Sequence, residues 1–408
     1  MSRVMVVGGG ASGMMAAFGA AEAGHEVCLL EKNEKLGKKI YITGKGRCNF
    51  TNACDTEDFF QNMVTNPKFL YSAIYAFDNH RMMEFIKDHG TPVKVERGNR
   101  VFPVSDHASD VTKALHLALD ETGVTVRLHT RVVSLLTEEH KVTGVKTEAG
   151  EELLCDAVIL ATGGLSYPST GSTGDGHRML KDAGCRMKEC YPALVSFVSV
   201  DRDICKLQGL SLKNVTLTVS DEKKQYYKDF GEMLFTHFGV SGPLVLSASS
   251  KVTGLLAKKT LNCSVDLKPA LSQKQLESRI LREISDNPKK SFPYLVRQLL
   301  PQKMAELFCQ RLSVDPGLCL SDLKKEDRDR LLCMLKDFTF AINGTGGFKE
   351  AVITQGGLDV KEVNPSTMEL KQIKGLYVCG ELLDVDALTG GYNLQIAFST
   401  GYLAGSSI

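Results

Sequence analysis

No stretch of this 408-residue chain approaches the ~18 consecutive apolar residues of a membrane span, so no transmembrane helix is expected. There is no excess of charge of either sign. The 49 Lys and Arg stand against 48 Asp and Glu, a formal +1. That balance argues against a protein that is one large cationic surface for nucleic acid. It leaves room for a local basic patch, and Lys38, Lys39, Lys45 and Arg47 suggest one. The 12 cysteines contain no CxxC pair and no Cys/His finger spacing, so neither a zinc site nor a disulfide relay is expected. No internal repeat or low-complexity tract appears. The apolar run before the first glycines, in MSRVMVVGGG, is too short for a signal peptide, and the expected location is the cytoplasm. Apolar residues at 43% and charged residues at 24% are ordinary globular usage, which excludes a disordered chain, a collagen and a coiled coil. At ~150 residues per domain the chain holds two or three domains.

What is present begins at once. Val4 to Val7 reads as a buried parallel strand. Gly8, Gly10 and Gly13 follow as G-x-G-x-x-G, and Ala11 to Ala23 reads as a helix ended by Gly24. His25 to Leu30 is a second strand closed by Glu31. Each part has a physical task. Gly8 permits the tight turn, Gly10 lets backbone approach a pyrophosphate, and Gly13 lets helix and sheet pack closely. The helix N-terminus offers free N–H groups to phosphate. Glu31 can accept from both ribose hydroxyls and would repel a 2′-phosphate. The unit therefore points to NAD or FAD rather than NADP. The bland alternative is a Gly-rich turn in another α/β protein.

The continuation favours FAD. A Lys/Gly-rich loop, KLGKKIYITGKGRCNFTN from Lys35 to Asn52, suits a second phosphate contact and a flavin ring. Thr125 to Leu160 reads as four strands with hairpins near Glu139–Lys141 and Gly150–Glu151, running into Ala161-Thr162-Gly163-Gly164. A meander returning to A-T-G is similar to flavoproteins of the glutathione reductase type. Near the C-terminus a strand, Gly375 to Cys379, precedes Gly380-Glu381, Gly390-Gly391-Tyr392-Asn393 and a helix from about Leu394 to Ala404. In that class such elements meet the ribityl chain and the flavin pyrimidine, so the FAD domain is expected to be discontinuous.

Taken together, the sequence resembles the BaiN-like (YhiN-like) flavoproteins over essentially its whole length. The motifs are VVGGGASG at Val6–Gly13, GKGRCNFTN at Gly44–Asn52, RVFPVSDHASDV at Arg100–Val111, ATGGLSYPSTGSTGDGHRMLKDAG at Ala161–Gly184, LFTHFGVSGP at Leu234–Pro243 and GELLDVDALTGGYNLQIAFSTG at Gly380–Gly401. One departure is Lys45, which interrupts the family's Gly-Gly-Gly before R-C-N and is expected near flavin or phosphate. The fold class is then α/β. A discontinuous Rossmann-type FAD domain of the glutathione-reductase kind spans 1–190 plus 345–408. A β-barrel-like substrate domain spans 191–270 plus 337–344, and a helical cap spans 271–336.

That middle region has its own texture. Lys213 to Ser220, with NVTLTVS, alternates as a half-buried strand, and Lys224 to Phe230 and Leu261 to Asp266 look like further strands. Ser272 to Asp286, Tyr294 to Leu312 and Lys325 to Asp337 read as helices. The cluster from Gly171 to Gly176 opens a helix but follows no suitable strand, so it is a poor NAD site. Similar T-G-D-G turns in flavoproteins frame the flavin side. With no second nucleotide motif, NAD(P)H would reach the flavin by transient docking.

The expected cofactor residues are Gly8, Gly10, Ala11, Ser12, Gly13 and Glu31 at the front. Lys39, Thr43 and Arg47 follow in the loop, with Val132, Thr162 and Gly163 at the meander. Gly380, Glu381, Tyr392, Asn393 and Leu394 complete the set at the C-terminus. Arg47 is read as a cation for phosphate or for the N1–C2 edge of a reduced flavin. Three residues are candidates for chemistry. Cys48 has a neighbour, Arg47, able to lower its thiol pKa. His237 sits in a compact turn before Pro243, and Tyr167 follows the ATGG turn. The bland reading of each is structural. Asp106 and His107 either form a pair or cap a helix at Ser105 or Asp106.

The missing CxxC removes disulfide reduction and leaves hydride chemistry. The resemblance implies three activities: reduction of a conjugated C=C in 3-oxo-4,6-diene bile-acid steroids, reduction of uracil to dihydrouracil in ribosomal RNA, and oxidation of small amines such as aminoacetone. The first two share hydride delivery to a C=C conjugated to a carbonyl. The even charge balance tilts the expectation to a steroid and a small-molecule substrate, with ribosomal RNA second. A non-catalytic FAD-binding protein is the remaining alternative.

Overall fold

The computed structural model describes residues 1–408 and divides them into two compact units. One is Met1–Ala193 with Gly347–Ile408, and the other is Leu194–Gly346.

The first unit is built on a five-stranded sheet in the order Leu376–Val378, Ala157–Leu160, Arg3–Val7, Glu26–Leu30, Thr125–Arg127. Every neighbouring pair is parallel. A parallel strand covered on both faces reads as an unbroken apolar run, and Val4, Met5, Val6 and Val7 are all buried. Helix Ala11–Glu22 lies against the C-terminal helix Tyr392–Ser406 at very short range. A Cβ on Gly401 would sit 2.2 Å from the Ser12 carbonyl oxygen, and one on Gly405 2.1 Å from that of Ala16. The two ends of the chain therefore share one core.

The stretch 125–160 holds five strands rather than four. The first, Thr125–Arg127, leaves the meander to extend the parallel sheet beside Glu26–Leu30. The meander itself is the antiparallel set Val132–Glu138, Lys141–Thr147 and Glu152–Leu154. The loop after Lys39 continues into a small sheet of Thr51–Asn52, Arg100–Pro103 and Val93–Glu96.

The second unit is a closed six-stranded barrel with helices. Around the barrel run Phe197–Ser199, Gly239–Ser241, Gln225–Phe235, Ser211–Ser220, Leu261–Asp266 and Phe338–Thr345. Val215, Leu217 and Val219 point inward, as their alternation requires. Helix Gln273–Asp286 starts from a capping box formed by Ser272 and Gln275. The long helix read over Tyr294 to Leu312 is two, Phe292–Leu299 and Gln302–Leu312. Leu300 is extended because the residue before a proline avoids the helical region, and Pro301 then opens the next helix.

Candidate functional site

A cleft of about 1240 Å³, open mouth included, runs through the first unit and is lined by that unit's residues alone. Its middle is the turn from strand Arg3–Val7 into helix Ala11–Glu22. Gly8 has φ +105°, and a Cβ there would meet the Ala161 carbonyl oxygen at 2.6 Å. A Cβ on Gly13 would fall 1.8 Å from the Gly8 carbonyl oxygen. Gly10 faces open space and is the N-cap, with no side chain bonded to the helix end. The first N–H groups of the helix are thus uncapped beside Gly10, Ala11 and Ser12, which line the cleft.

Glu31 marks one end. It is 7% exposed. Its Oε2 accepts the Gly9 N–H at 2.7 Å, and its Oε1 accepts the Asn33 N–H at 2.8 Å and Asn33 Nδ2 at 2.7 Å. These three donors fix the carboxylate and leave one acceptor site, on Oε2, for a ligand hydroxyl. Thr170, Gly171, Ser172 and Asp175 line this same end, with Lys32, Thr130, Arg131 and Val132. The T-G-D-G turn therefore frames the Glu31 end and not the opposite end, contrary to the expectation from sequence. Burial pushes the Asp175 carboxyl up, but hydrogen bonds from Arg131 and Lys32 outweigh this and bring it down to about 2.

Glu381 marks the other end. Lys39 Nζ donates to Glu381 Oε2 at 2.7 Å and to Ser166 Oγ at 2.5 Å. Ser166 Oγ donates to Glu381 Oε1 at 2.5 Å, and the Thr354 N–H donates to the same oxygen at 2.8 Å. Burial opposes ionisation of Glu381, but Lys39 and these donors hold its carboxyl below the usual value. Helix Tyr392–Ser406 starts here from Gly391 without a side-chain cap. The Asn393 side chain is consumed by Ala387 and Leu388, so this residue can meet a ligand only through its backbone.

Two uncapped helix ends, a fixed acceptor at Glu31, an acid–base pair at Lys39–Glu381 and the buried, unpartnered Thr162 Oγ1 all lie on one elongated cleft. Free N–H groups suit phosphates, and carboxylates suit sugar hydroxyls. These residues fit a dinucleotide such as FAD.

Gly8, Gly10, Ala11, Ser12, Glu31, Lys39, Thr43, Val132, Thr162, Gly163, Gly380, Glu381, Asn393 and Leu394 are brought together on the cleft wall. Other expected residues lie elsewhere. Gly13 packs behind Gly8. Arg47 is not on the wall. Its guanidinium lies over the Phe102 ring at 4.2 Å and is held by Glu96 and Asp106, with Nε to Asp106 at 2.8 Å. Asp106 also takes Lys94 at 2.7 Å, and so neither pairs with His107 nor caps a helix. Lys45 is exposed and off the wall. Cys48 is fully buried and off the cleft wall, and burial pushes its thiol up to about 12, which disfavours the thiolate that redox work needs and makes the thiol a weak acid. The Tyr392 ring packs edge-on against Phe59 at 5.1 Å instead of lining the cleft. Tyr167 is in a left-handed turn, its N–H donated to the Phe348 carbonyl, and is also off the wall. His237 belongs to the Leu194–Gly346 unit, where its exposed ring stands edge-on to Phe238 at 4.8 Å.

Sequence reasoning missed Lys32, Asn33, Arg131, Ser166, Asp175 and Thr354. Lys32 and Asn33 directly follow Glu31, and Asp175 sits inside a motif already noticed. Ser166 and Thr354 carried no signal, because no local motif joins them to their partners: Ser166 meets Glu381 215 residues away, and Thr354 meets Leu165 189 residues away.

Comparison with known proteins gives the same picture. The family described as HI0933-like protein Rossmann domain matches residues 2–407. The 3-dehydro-bile acid delta(4,6)-reductase of Clostridium scindens is 32% identical over 99% of this chain and 98% of its own. The ribosomal RNA dihydrouridine synthase of Haemophilus influenzae is 31% identical over 100% and 98%. Among solved structures, the 3-ketosteroid-delta4-(5alpha)-dehydrogenase of Rhodococcus jostii RHA1 superposes with a TM-score of 0.54 at 16% identity, covering 100% of this chain and 96% of that one. At that identity the likeness is one of fold.

Proposed function

Since the chain belongs to the HI0933-like family of FAD-binding Rossmann oxidoreductases, we propose that it reduces a C=C bond conjugated to a carbonyl, with NAD(P)H as the electron source. The favoured substrate is a steroid of the 3-oxo-4,6-diene type. The observation that carries this reading is the single elongated cleft with Glu31 at one end and Lys39–Glu381 at the other, in a chain without CxxC. The full-length 32% likeness to a protein named as a bile acid delta(4,6)-reductase supports the substrate.

FAD held in the cleft supplies hydride chemistry. This chain's residues do the rest. Glu31 accepts from the adenosine ribose, and the N–H groups at Gly10, Ala11 and Ser12 hold the pyrophosphate. Lys39 keeps Glu381 ionised and oriented for the ribityl hydroxyls. The uncapped N–H groups at Asn393 and Leu394 stabilise negative charge. We assign substrate selection to the barrel region, 191–270 plus 337–344, with the helices of 271–336 as its cap, and His237 as the candidate proton donor.

One observation favours a second substrate. The even charge of the whole chain conceals a split. Residues 194–346 carry 23 Lys and Arg against 17 Asp and Glu, while the rest carries 26 against 31. A unit at +6 suits a polyanion, which supports uracil reduction in ribosomal RNA.

The test is anaerobic. The flavin is reduced with NAD(P)H, and then a 3-oxo-4,6-diene steroid or a ribosomal RNA fragment is added. Return of the oxidised flavin band with the steroid supports the first reading, and return with RNA alone reverses the ranking. Return with neither, with bleaching of oxidised protein by aminoacetone, replaces both with amine oxidation.

A further inference from the structure

The Glu31 end of the cleft is bridged. Thr170, Gly171, Ser172 and Asp175 line it from one side and Lys32, Asn33 and Arg131 from the other, and the two sides are tied together directly. Lys32 Nζ donates to Asp175 Oδ2 at 2.5 Å and to Thr173 Oγ1 at 2.7 Å. Asn33 Nδ2 donates to the Thr170 carbonyl at 3.2 Å. Arg131 Nη2 donates to Asp175 Oδ1 at 2.9 Å, and Arg178 bonds to the same oxygen. One carboxylate, with a side chain only 8% exposed, thus gathers three cations from three places in the chain.

The segment so tied is built to turn. Tyr167, Gly171 and Gly174 all have positive φ, at 50°, 111° and 81°, which breaks the run between the A-T-G turn and helix Asp175–Asp182 into short pieces. Its ends are anchored in the sheet and the helix. Within the segment the Thr170, Gly171 and Thr173 N–H groups bond to the Tyr167, Pro168 and Gly171 carbonyls, and the bonds from Lys32 and Asn33 tie it across the cleft. None of these cations is needed to balance the fold elsewhere, apart from the Arg131 bond to Glu148.

We propose that residues 170–175 form a strap over the adenosine half of a bound dinucleotide, and that Asp175 is the positioning residue whose ion pairs keep the strap closed. This rests on the reading of the cleft as an FAD site and goes beyond it. The strap makes retention depend on the half of the ligand that takes no part in chemistry. A ligand that ends at the flavin phosphate does not reach the strap, whereas FAD must open it to leave.

The experiment compares FAD and FMN. Each is loaded onto the protein, and its dissociation rate is read from the recovery of flavin fluorescence on dilution. In Asp175→Asn and in Lys32→Met, FAD is expected to leave about tenfold faster, the change that 1.4 kcal/mol makes. The double variant should be little faster than either single one, because both break the same latch. FMN release should stay within about twofold of the parent. Lys32→Met serves where Asp175→Asn does not fold, since Lys32 is 23% exposed at its side chain. Unchanged FAD release in both variants overturns the strap, and so does equal acceleration of FAD and FMN, which is general loosening. Slower FAD release overturns it too, since freed cations would then be binding phosphate. A parent chain that takes up no FAD at all overturns the cofactor reading itself.

Discussion

The two units differ most in what they bury. In the cleft-bearing unit six carboxylates are buried, namely Glu31, Asp175, Asp359, Glu362, Asp384 and Asp386. In the Leu194–Gly346 unit the only buried polar side chains are those of Ser196, Ser249, Ser250 and Thr253. Its interior is otherwise Leu, Val, Ile, Phe and similar residues. A buried carboxylate is costly unless donors surround it, whereas an aliphatic core needs only shape. Two of the six, Glu31 and Asp175, line the cleft, while Asp359 and Glu362 are held by Arg186 and Lys188; the other unit is held together generically. Sensitivity to substitution and to acid should follow the same division.

The largest break is expected at Gly13→Val. With a Cβ 1.8 Å from the Gly8 carbonyl, helix and strand must separate, costing about 3 kcal/mol or more. The purified variant should be colourless with a lowered Tm, and a yellow variant of parental Tm would show that close approach is dispensable. Next, Glu31→Arg replaces an acceptor with a cation and should weaken FAD binding about 100-fold, close to 2.7 kcal/mol. Equilibrium titration of the apoprotein with FAD measures it.

Acid sharpens the comparison further. The Asp175 carboxyl lies below its ordinary value, so its stabilisation is complete above about pH 4 and lost as the pH falls toward 2, worth about 2 kcal/mol. Glu381 and Asp359 are shifted the same way. Asp384 is raised by burial and acts in the opposite sense. Flavin release should precede loss of the barrel's far-ultraviolet signal on acid titration, and Asp175→Asn should flatten the first step. Simultaneous transitions would mean that the two units do not differ in this respect.

Smaller still is an effect confined to the basic unit. Changing Lys289, Lys290, Lys324 and Lys325 to Gln should leave FAD content intact. If ribosomal RNA is the substrate, the dependence of binding on log salt should become shallower by at most about 4. Least of all, Arg47→Gln should not change FAD content, because its guanidinium serves Glu96 and Asp106.

The front of the cleft was legible because it is local. Gly8, Gly10, Gly13 and Glu31 fall within one strand–helix–strand unit, and their spacing dictates their roles. The Lys39–Ser166–Glu381 cluster was not legible as a cluster, since its members come from three distant segments. Arg47 and Cys48 lie off the cleft wall for a related reason. Adjacent in sequence, they turn to different surroundings, one to surface carboxylates and the other into the core. The T-G-D-G turn that carries Asp175 was visible but its place was not, because a turn does not declare which strand it will face. The break at Leu300–Pro301 was a local signal overridden by a continuous apolar pattern.

The packing of helix Ala11–Glu22 on helix Tyr392–Ser406 sets a timetable for synthesis. The barrel unit is one contiguous segment, complete once residue 346 has left the ribosome. Helix Ala11–Glu22 emerges before that unit, and its partner Tyr392–Ser406 only after it. With some 380 residues between them, and about 5–20 residues added per second, its glycine-lined face waits roughly 20–80 s. During that interval the dinucleotide cleft lacks one wall. Cofactor capture thus has to wait for helix Tyr392–Ser406, and the nascent first unit, with its apolar strand Arg3–Val7 and small-residue helix uncovered, is the species most in need of a chaperone.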